Sequence, residues 1–319
     1  MNRIKKRIED PQALSSIKKL RISASSIESY RACPYRWFVS YALKTNSYQK
    51  SLNAQLKGCI AHDVISKFLG EQSFEHKELL GNIEEAQIHL GEIYDSVFNQ
   101  YLERDFKNVE INSNIIDEFK QLKNKLQNYL YFEAQSFLGF ENFANEIDDV
   151  GTYAGVEIRY RPDRLITRGD TFIVIDYKLG TGDIKPYWDE IGKIKVQTAI
   201  YAKLLEEKIN KRCIACLYIP FSNGDKQSSN KVGGAIDGEF LKSHEIHISK
   251  RKYDDLIVQK NREELQVENF ASYLTMVEEQ VSEDILHMQS GIIDKYPGNP
   301  KGAYCPILDT CGLCKKVEY

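Results

Sequence analysis

Asp176 and Lys178 stand two residues apart in the stretch FIVIDYKLG (172–180), where an apolar run that reads as a buried strand comes to its end. Side chains alternate along a strand, so the acid and the base project from one face. A second strand-like stretch, YAGVEIRYRPDRLI (153–166), precedes it, and TRGD between the two carries a turn signal. With Gly169 and Asp170 as the central residues of a tight hairpin, Arg168 faces Thr171, and the same register sets Asp163 opposite Asp176. Their Cβ atoms would then lie ~4.5 to 5.5 Å apart. Carboxylates this close repel, and one takes up a proton unless a cation sits between them. Magnesium or manganese, which prefer hard oxygen ligands, would meet that need and keep positions open for water and a phosphate. Lys178 beside them would orient or help deprotonate an attacking water and stabilise charge developing on the phosphate. The same residues also read as two charged strand ends paired with Arg164 or Lys178, and one bulged residue would destroy the register.

The surrounding elements follow from periodicity and punctuation. ISASSIESYRACPYRWFVSYAL (22–43) opens with Ser25 and Glu28 in the spacing of a capping box, and Pro34 ends that helix and begins the next, leaving Cys33 at the junction. KGCIAHDVISKFLG (57–70) is predicted helical, with Ile60, Val64, Ile65, Phe68 and Leu69 on its apolar side. Residues of about 71–140 carry helical periods and no strand signal, and read as a helical insertion; about 141–250 reads as the core, and 251–319 as a long helix, predicted over 253–289, followed by a cysteine-bearing segment. IGKIKVQTAIYAKLLEEK is predicted helical, with Gln197 and Tyr201 four apart on one side, and RCIACLYIPF and EIHIS are predicted strands. In RCIACLYIPF, strand alternation sends Cys213 and Cys216 to opposite faces, which makes them poor joint ligands.

Composition bounds the function classes. The chain has 319 residues, 42% of them hydrophobic and 28% charged, which leaves one elaborated domain or two coupled ones open. No apolar run reaches the ~18 residues of a membrane span, and the basic opening stretch lacks a signal-peptide core, so a cytoplasmic protein without a membrane partner is expected. A net charge of -3 gives no global attraction to nucleic acid, so DNA would have to be met by local patches such as Lys185, Lys193, Lys195 and SKRKYDD, although such patches are more often just solvated faces. No G-x-x-x-x-G-K-[ST] motif occurs, so an ATP-driven helicase of that type would have to be a separate partner. Seven cysteines, an odd number, point to metal ligation or burial rather than a disulfide framework. Three of them, Cys305, Cys311 and Cys314, form C-x5-C-x2-C near the end, with Cys33 near the start.

Taken in order, these motifs resemble the PD-(D/E)XK nuclease superfamily, and within it the RecB-like branch. ISASSIESYRACPYRWFVSYAL resembles the serine-rich, Cys-Pro opening segment of that branch; GCIAHDVI, YRPDRL, VIDYKLG and QTAIYA resemble its histidine, acidic-strand, D-x-K and Gln/Tyr motifs. The resemblance implies an α/β fold of the restriction-endonuclease kind, with a central mixed sheet flanked by helices. It implies that His62, Asp163, Asp176 and the backbone carbonyl of Tyr177 bind the metal, that Lys178 is catalytic, and that Gln197 and Tyr201 position the lysine or the DNA backbone. Glu146 and Glu157 are weaker candidates for a further carboxylate. The branch includes CRISPR-associated and AddAB-type nucleases in which one N-terminal and three C-terminal cysteines hold a 4Fe-4S cluster, which implies Cys33, Cys305, Cys311 and Cys314 as its ligands here. The longer gap comes first in this chain, and a four-cysteine zinc site is the rival reading. Such a clip between the two ends of the chain would contribute at most roughly 5 kcal/mol by loop closure. The activity implied is Mg2+- or Mn2+-dependent hydrolysis of DNA, with exonuclease action expected; a silent DNA-binding or assembly subunit of a recombination complex, and an iron-sulfur redox or sensing protein, are the alternatives. Oligomeric state is not readable.

Overall fold

A computed structural model describes residues 4–44, 54–70, 81–105, 113–137, 139–179, 195–221, 232–237, 256–257, 269–295 and 311. Its strands, in chain order, are β1 (Ile22–Ser23), β2 (Glu141–Asn145), β3 (Asp149–Tyr153), β4 (Val156–Tyr160), β5 (Arg164–Arg168), β6 (Thr171–Lys178), β7 (Arg212–Pro220), β8 (Gly233–Ile236) and β9 (Leu256–Ile257). Its helices are α1 (Pro11–Lys18), α2 (Ala24–Ala32), α3 (Pro34–Trp37), α4 (Ala54–Gly70), α5 (Ile83–Asp105), α6 (Ser113–Ser136), α7 (Gln197–Ile209) and α8 (Phe270–Gln289), and α3 runs on into a π-helical turn over Phe38–Ala42.

The expected hairpin forms in the expected register: Arg168 pairs with Thr171 and the ladder continues to Arg164 opposite Ile175. Gly169 adopts φ +55 while Asp170 keeps a negative φ, the demand of a turn that needs glycine at its first central position. Around this hairpin the described strands build a mixed six-stranded sheet in the order β2-β5-β6-β7-β8-β9, antiparallel through β2, β5 and β6 and parallel between β6 and β7. A smaller sheet of order β1-β4-β3 lies apart from it in hydrogen bonding. Helices cover both faces of the large sheet. On one face Ile166, Ile173, Ile175 and Leu217 share a buried core with Ile60 and Val64 of α4, Leu90 of α5, and Leu126 of α6. On the other, Leu165, Phe172, Val174 and Cys216 pack against Ile200 and Leu204 of α7 and against Tyr273, Val277 and Val281 of α8.

Four details depart from the sequence expectations. The stretch 153–166 is not one strand: it divides at Arg161-Pro162-Asp163, with β4 in the small sheet and β5 in the large one. Proline has no N–H to give to a ladder, so the chain changes sheets there. The capping box of α2 is built by Ser23 and Ser26, not by Ser25 and Glu28, which frees the Glu28 side chain for other partners. Opposite Phe172 and Ile173 the partners are Cys213 and Ala215, so Ile214 is bulged out of register; the bulge inverts the alternation and brings Cys213 and Cys216 to the same face, in the core beneath α7 and α8. Finally, the C-terminal helix starts only at the Asn269 cap, and Leu256–Ile257 forms strand β9 rather than helix. The EIHIS stretch lies outside the described residues.

The ends of the described chain are tied together. Ile4 bridges Lys295 and Arg7 bridges Ile292, the Lys6 N–H donates to Asp294 Oδ1 at 2.7 Å, and the Tyr30 hydroxyl donates to the Ile292 carbonyl at 2.9 Å. Cys33 sits beside this clasp, where the Tyr35 N–H donates to the Asp294 carbonyl.

Candidate active site

Six of the candidate side chains converge at the end of β6. Asp163 occupies the bend just before β5, one step beyond the last ladder pair, and its carboxylate folds across to β6: Oδ2 accepts the Tyr177 N–H at 2.6 Å. Its other oxygen, Oδ1, lies 3.1 Å from His62 Nδ1. His62 arrives on α4, which is held to the sheet edge by Asn142 and Asn145 of β2 donating to the Leu69 and Ser66 carbonyls. The imidazole stands edge-on to the rings of Tyr177 and Phe221. Asp176 points to the opposite layer, as Leu165 and Val174 do, where Gln197 Nε2 donates to its Oδ1 at 3.2 Å. The same amide donates to the Tyr201 hydroxyl at 2.7 Å, so the i, i+4 pair on α7 acts as one unit. Lys178 pairs with Asp176 Oδ2 and lies over the Tyr218 ring at 5.6 Å.

Burial sets the electrostatics. Asp176 is 3% exposed. Its carboxyl is pushed up to about 6 by that burial, and the charge of Asp163 pushes the same way, while Lys178 and His62 pull it back. For His62, burial disfavours the charged ring, but the charge and hydrogen bond of Asp163, with Asp176 adding to them, outweigh it and raise the imidazole above its ordinary value. The two carboxylates thus share Lys178 and a His62 ring whose charged form they favour.

One oxygen in the cluster stands out. Asp176 Oδ2 is buried and paired closely with the Lys178 ammonium. A buried carboxylate that feels the charge of a second carboxylate, itself beside an imidazole, fits the donor chemistry of a divalent cation. Among the described residues no three His, Cys, Asp or Glu side chains are already gathered as a cage. His62 Nδ1 and both oxygens of Asp163 are engaged within the chain, as is Asp176 Oδ1.

The remaining candidates divide. Tyr177 meets the site through its backbone, while its ring enters a buried polar network on the far face of the sheet, with Arg164 Nη1 donating to its hydroxyl at 3.1 Å. Glu146 donates its N–H to the Asp163 carbonyl but turns its carboxylate to Arg161, and Glu157 stays exposed in the small sheet. Cys33 and Cys311 are free and half-buried; Cys305 and Cys314 lie outside the described residues.

Two residues take parts that the sequence reading did not give them. Glu28, 7% exposed on α2, accepts from the N–H groups of Val196 and Gln197, and Arg164 is fully buried with Glu133 beneath the hairpin. The signal for Glu28 was an acid on the buried side of a helix, with an uncapped helix start at Val196 far along the chain. The family model described as the PD-(D/E)XK nuclease superfamily matches residues 21–312. No curated protein matches the chain.

Proposed function

Because the chain belongs to the PD-(D/E)XK nuclease superfamily, we propose that it is a Mg2+- or Mn2+-dependent DNA nuclease of the RecB-like branch, acting as an exonuclease on phosphodiester bonds. The observation that carries this reading is the convergence of the buried Asp176 carboxylate with Asp163, His62 and Lys178 at the end of β6. Asp163, Asp176 and His62, with the Tyr177 carbonyl, would hold the cation, which when bound supplies a more acidic water and charge opposite the phosphate. The chain's own residues do the rest. Gln197 fixes Asp176 by its Oδ1 and leaves Oδ2 to Lys178. Lys178, with its side chain 20% exposed, can reach both the attacking water and a phosphate oxygen, where its charge counts for more in a partly desolvated cleft. Tyr201 keeps the Gln197 amide from rotating away.

The cysteine arrangement supports a 4Fe-4S cluster held by Cys33, Cys305, Cys311 and Cys314, with zinc as the alternative occupant, in a structural role beside the clasp between the chain ends. A helicase or recombination protein is the proposed partner, and the cytoplasm the proposed location; among the described residues no helix is long and apolar enough to cross a membrane.

End-labelled linear DNA, single- and double-stranded, should be shortened from its ends in the presence of Mg2+ or Mn2+ and left intact in chelator, with covalently closed circles resistant. Intact linear DNA under every divalent metal tried would sink the reading. Anaerobically purified protein should carry about four irons and four acid-labile sulfides per chain. Stoichiometric zinc without iron would instead assign the cysteines to zinc.

A further inference from the structure

We propose that Glu28 is a positioning residue for the Gln197–Asp176 contact, acting as an N-cap for α7 supplied from a distant helix. The inference rests on the nuclease reading for its effect on turnover, and on geometry for the rest. Helix α7 begins after Val196, whose apolar branched side chain cannot accept a hydrogen bond, so its first N–H groups have no local cap. Glu28 Oε1 takes two of them, from Val196 and Gln197, each at 2.9 Å. Its other oxygen, Oε2, lies 3.2 Å from Lys195 Nζ, and the Tyr218 hydroxyl reaches Oε1 at 3.4 Å. A carboxylate at this end of a helix is also favoured by the helix dipole.

The consequence lies in what α7 carries. Gln197 is the first residue of the helix; its N–H is held by Glu28 while its side chain holds Asp176 Oδ1. Tyr218, which pairs with Asp176 in the β6–β7 ladder, also faces Glu28 and the Thr198 N–H. Glu28 thus ties the opening segment of the chain to both supports of Asp176, the helix beside it and the strand next to it. Without Glu28, the first turn of α7 would fray and the Gln197 amide would lose its fixed approach.

The experiment compares Glu28→Ala with Glu28→Gln, which keeps an acceptor oxygen of the same reach. Amide hydrogen exchange over 196–201 in the full chain should speed up about 10-fold or more in Glu28→Ala and stay within about 3-fold of the parent in Glu28→Gln. Cleavage of DNA should show a fall in kcat of about 10-fold for Glu28→Ala, with KM nearly unchanged and most of the rate recovered in Glu28→Gln. In a Gln197→Ala background, the same Glu28→Ala change should cost little further rate, because both act through one contact. Unchanged exchange in Glu28→Ala, or rate losses that multiply in the double variant, would overturn the proposal. If Glu28→Ala does not fold, Glu28→Asp, which withdraws the carboxylate by one methylene, takes its place with the same criteria. Absence of any cleavage by the parent protein would remove the nuclease reading and leave the exchange comparison to decide the capping role.

Discussion

Asp176→Asn and Asp176→Ala are each expected to lower divalent-dependent DNA cleavage by at least about 10³-fold, since the proposed metal site would lose a ligand and with it a contribution of several kcal/mol. Lys178→Ala should cost about 10²- to 10⁴-fold, the range of a positioned proton-transfer group. The informative part is what happens to stability. A residue kept for packing destabilises the fold when replaced, whereas Asp176 is a buried carboxylate, pushed up to about 6 from an ordinary value of 3.8 chiefly by that burial. Because its folded value lies above the unfolded one, the folded state binds more protons between those two values. Metal-free protein should therefore lose stability as pH rises from about 4 to about 6, by on the order of 2 kcal/mol from this group. Asp176→Asn removes the titrating group while keeping its shape, so in chelator it should flatten that part of the profile and be more stable than the parent at neutral pH. Urea titrations at a series of pH values, run beside cleavage assays, check both halves. Asp176→Asn protein that cleaves normally, or that is less stable than the parent at neutral pH in chelator, would count against a metal-binding role for this carboxylate.

Much of this site was legible because two local rules act without help from the rest of the fold. A Gly-Asp turn fixes hairpin register, and the register carried Asp163 to the level of Asp176. Helical spacing likewise put Gln197 and Tyr201 on one side of α7, where a single amide links them. The failures share a different cause, since each depends on a partner distant in sequence. Pro162 marked a break, but only the neighbouring strands decide that β4 and β5 enter different sheets. Strands β2, β3 and β8 went unread because ENFAN, DVGTY and GGAI are polar or glycine-rich. In β8 the glycine is required by the neighbour: Gly234 has φ +118, and a Cβ there would meet the Cys216 carbonyl oxygen at 2.1 Å. The β7 bulge that reunites Cys213 and Cys216 on one face is similarly a property of the β6–β7 pairing, not of RCIACLYIPF. Glu28 combined both difficulties. Its spacing from Ser25 matched a local cap, and its actual partners lie 168 and 169 residues away.

Arg164→Met and Glu133→Leu, made singly, are each expected to destabilise the chain by about 3 to 5 kcal/mol, and the two together by much less than either alone. Both side chains are fully buried, and Arg164 Nη1 donates to Glu133 Oε1 at 2.6 Å. Arg164 Nε donates to Asn142 Oδ1 at 2.9 Å, and the Tyr129 hydroxyl donates to the second Glu133 oxygen at 2.6 Å. Burial works against the guanidinium charge, but Glu133, with Tyr177 and Tyr129 behind it, outweighs that and holds the arginine above its ordinary range. Removing one partner leaves the other as an uncompensated charge in a dry core, whereas removing both replaces the pair with apolar volume. The site should register the difference. Arg164 pairs with Ile175 in the ladder, follows Asp163 directly in the chain, and holds the Tyr177 ring, so it braces the segment carrying both carboxylates from the face of the sheet opposite the Asp176 side chain. In the double variant, chemical denaturation should show recovered stability while cleavage stays impaired, because apolar contacts cannot hold the Tyr177 hydroxyl or fix the hairpin end as tightly. Full recovery of both would reduce the pair to a stabilising contact with no bearing on the carboxylates. Single variants costing under about 1 kcal/mol would mean that water reaches the pair, since only solvent could support the remaining charge at so little expense.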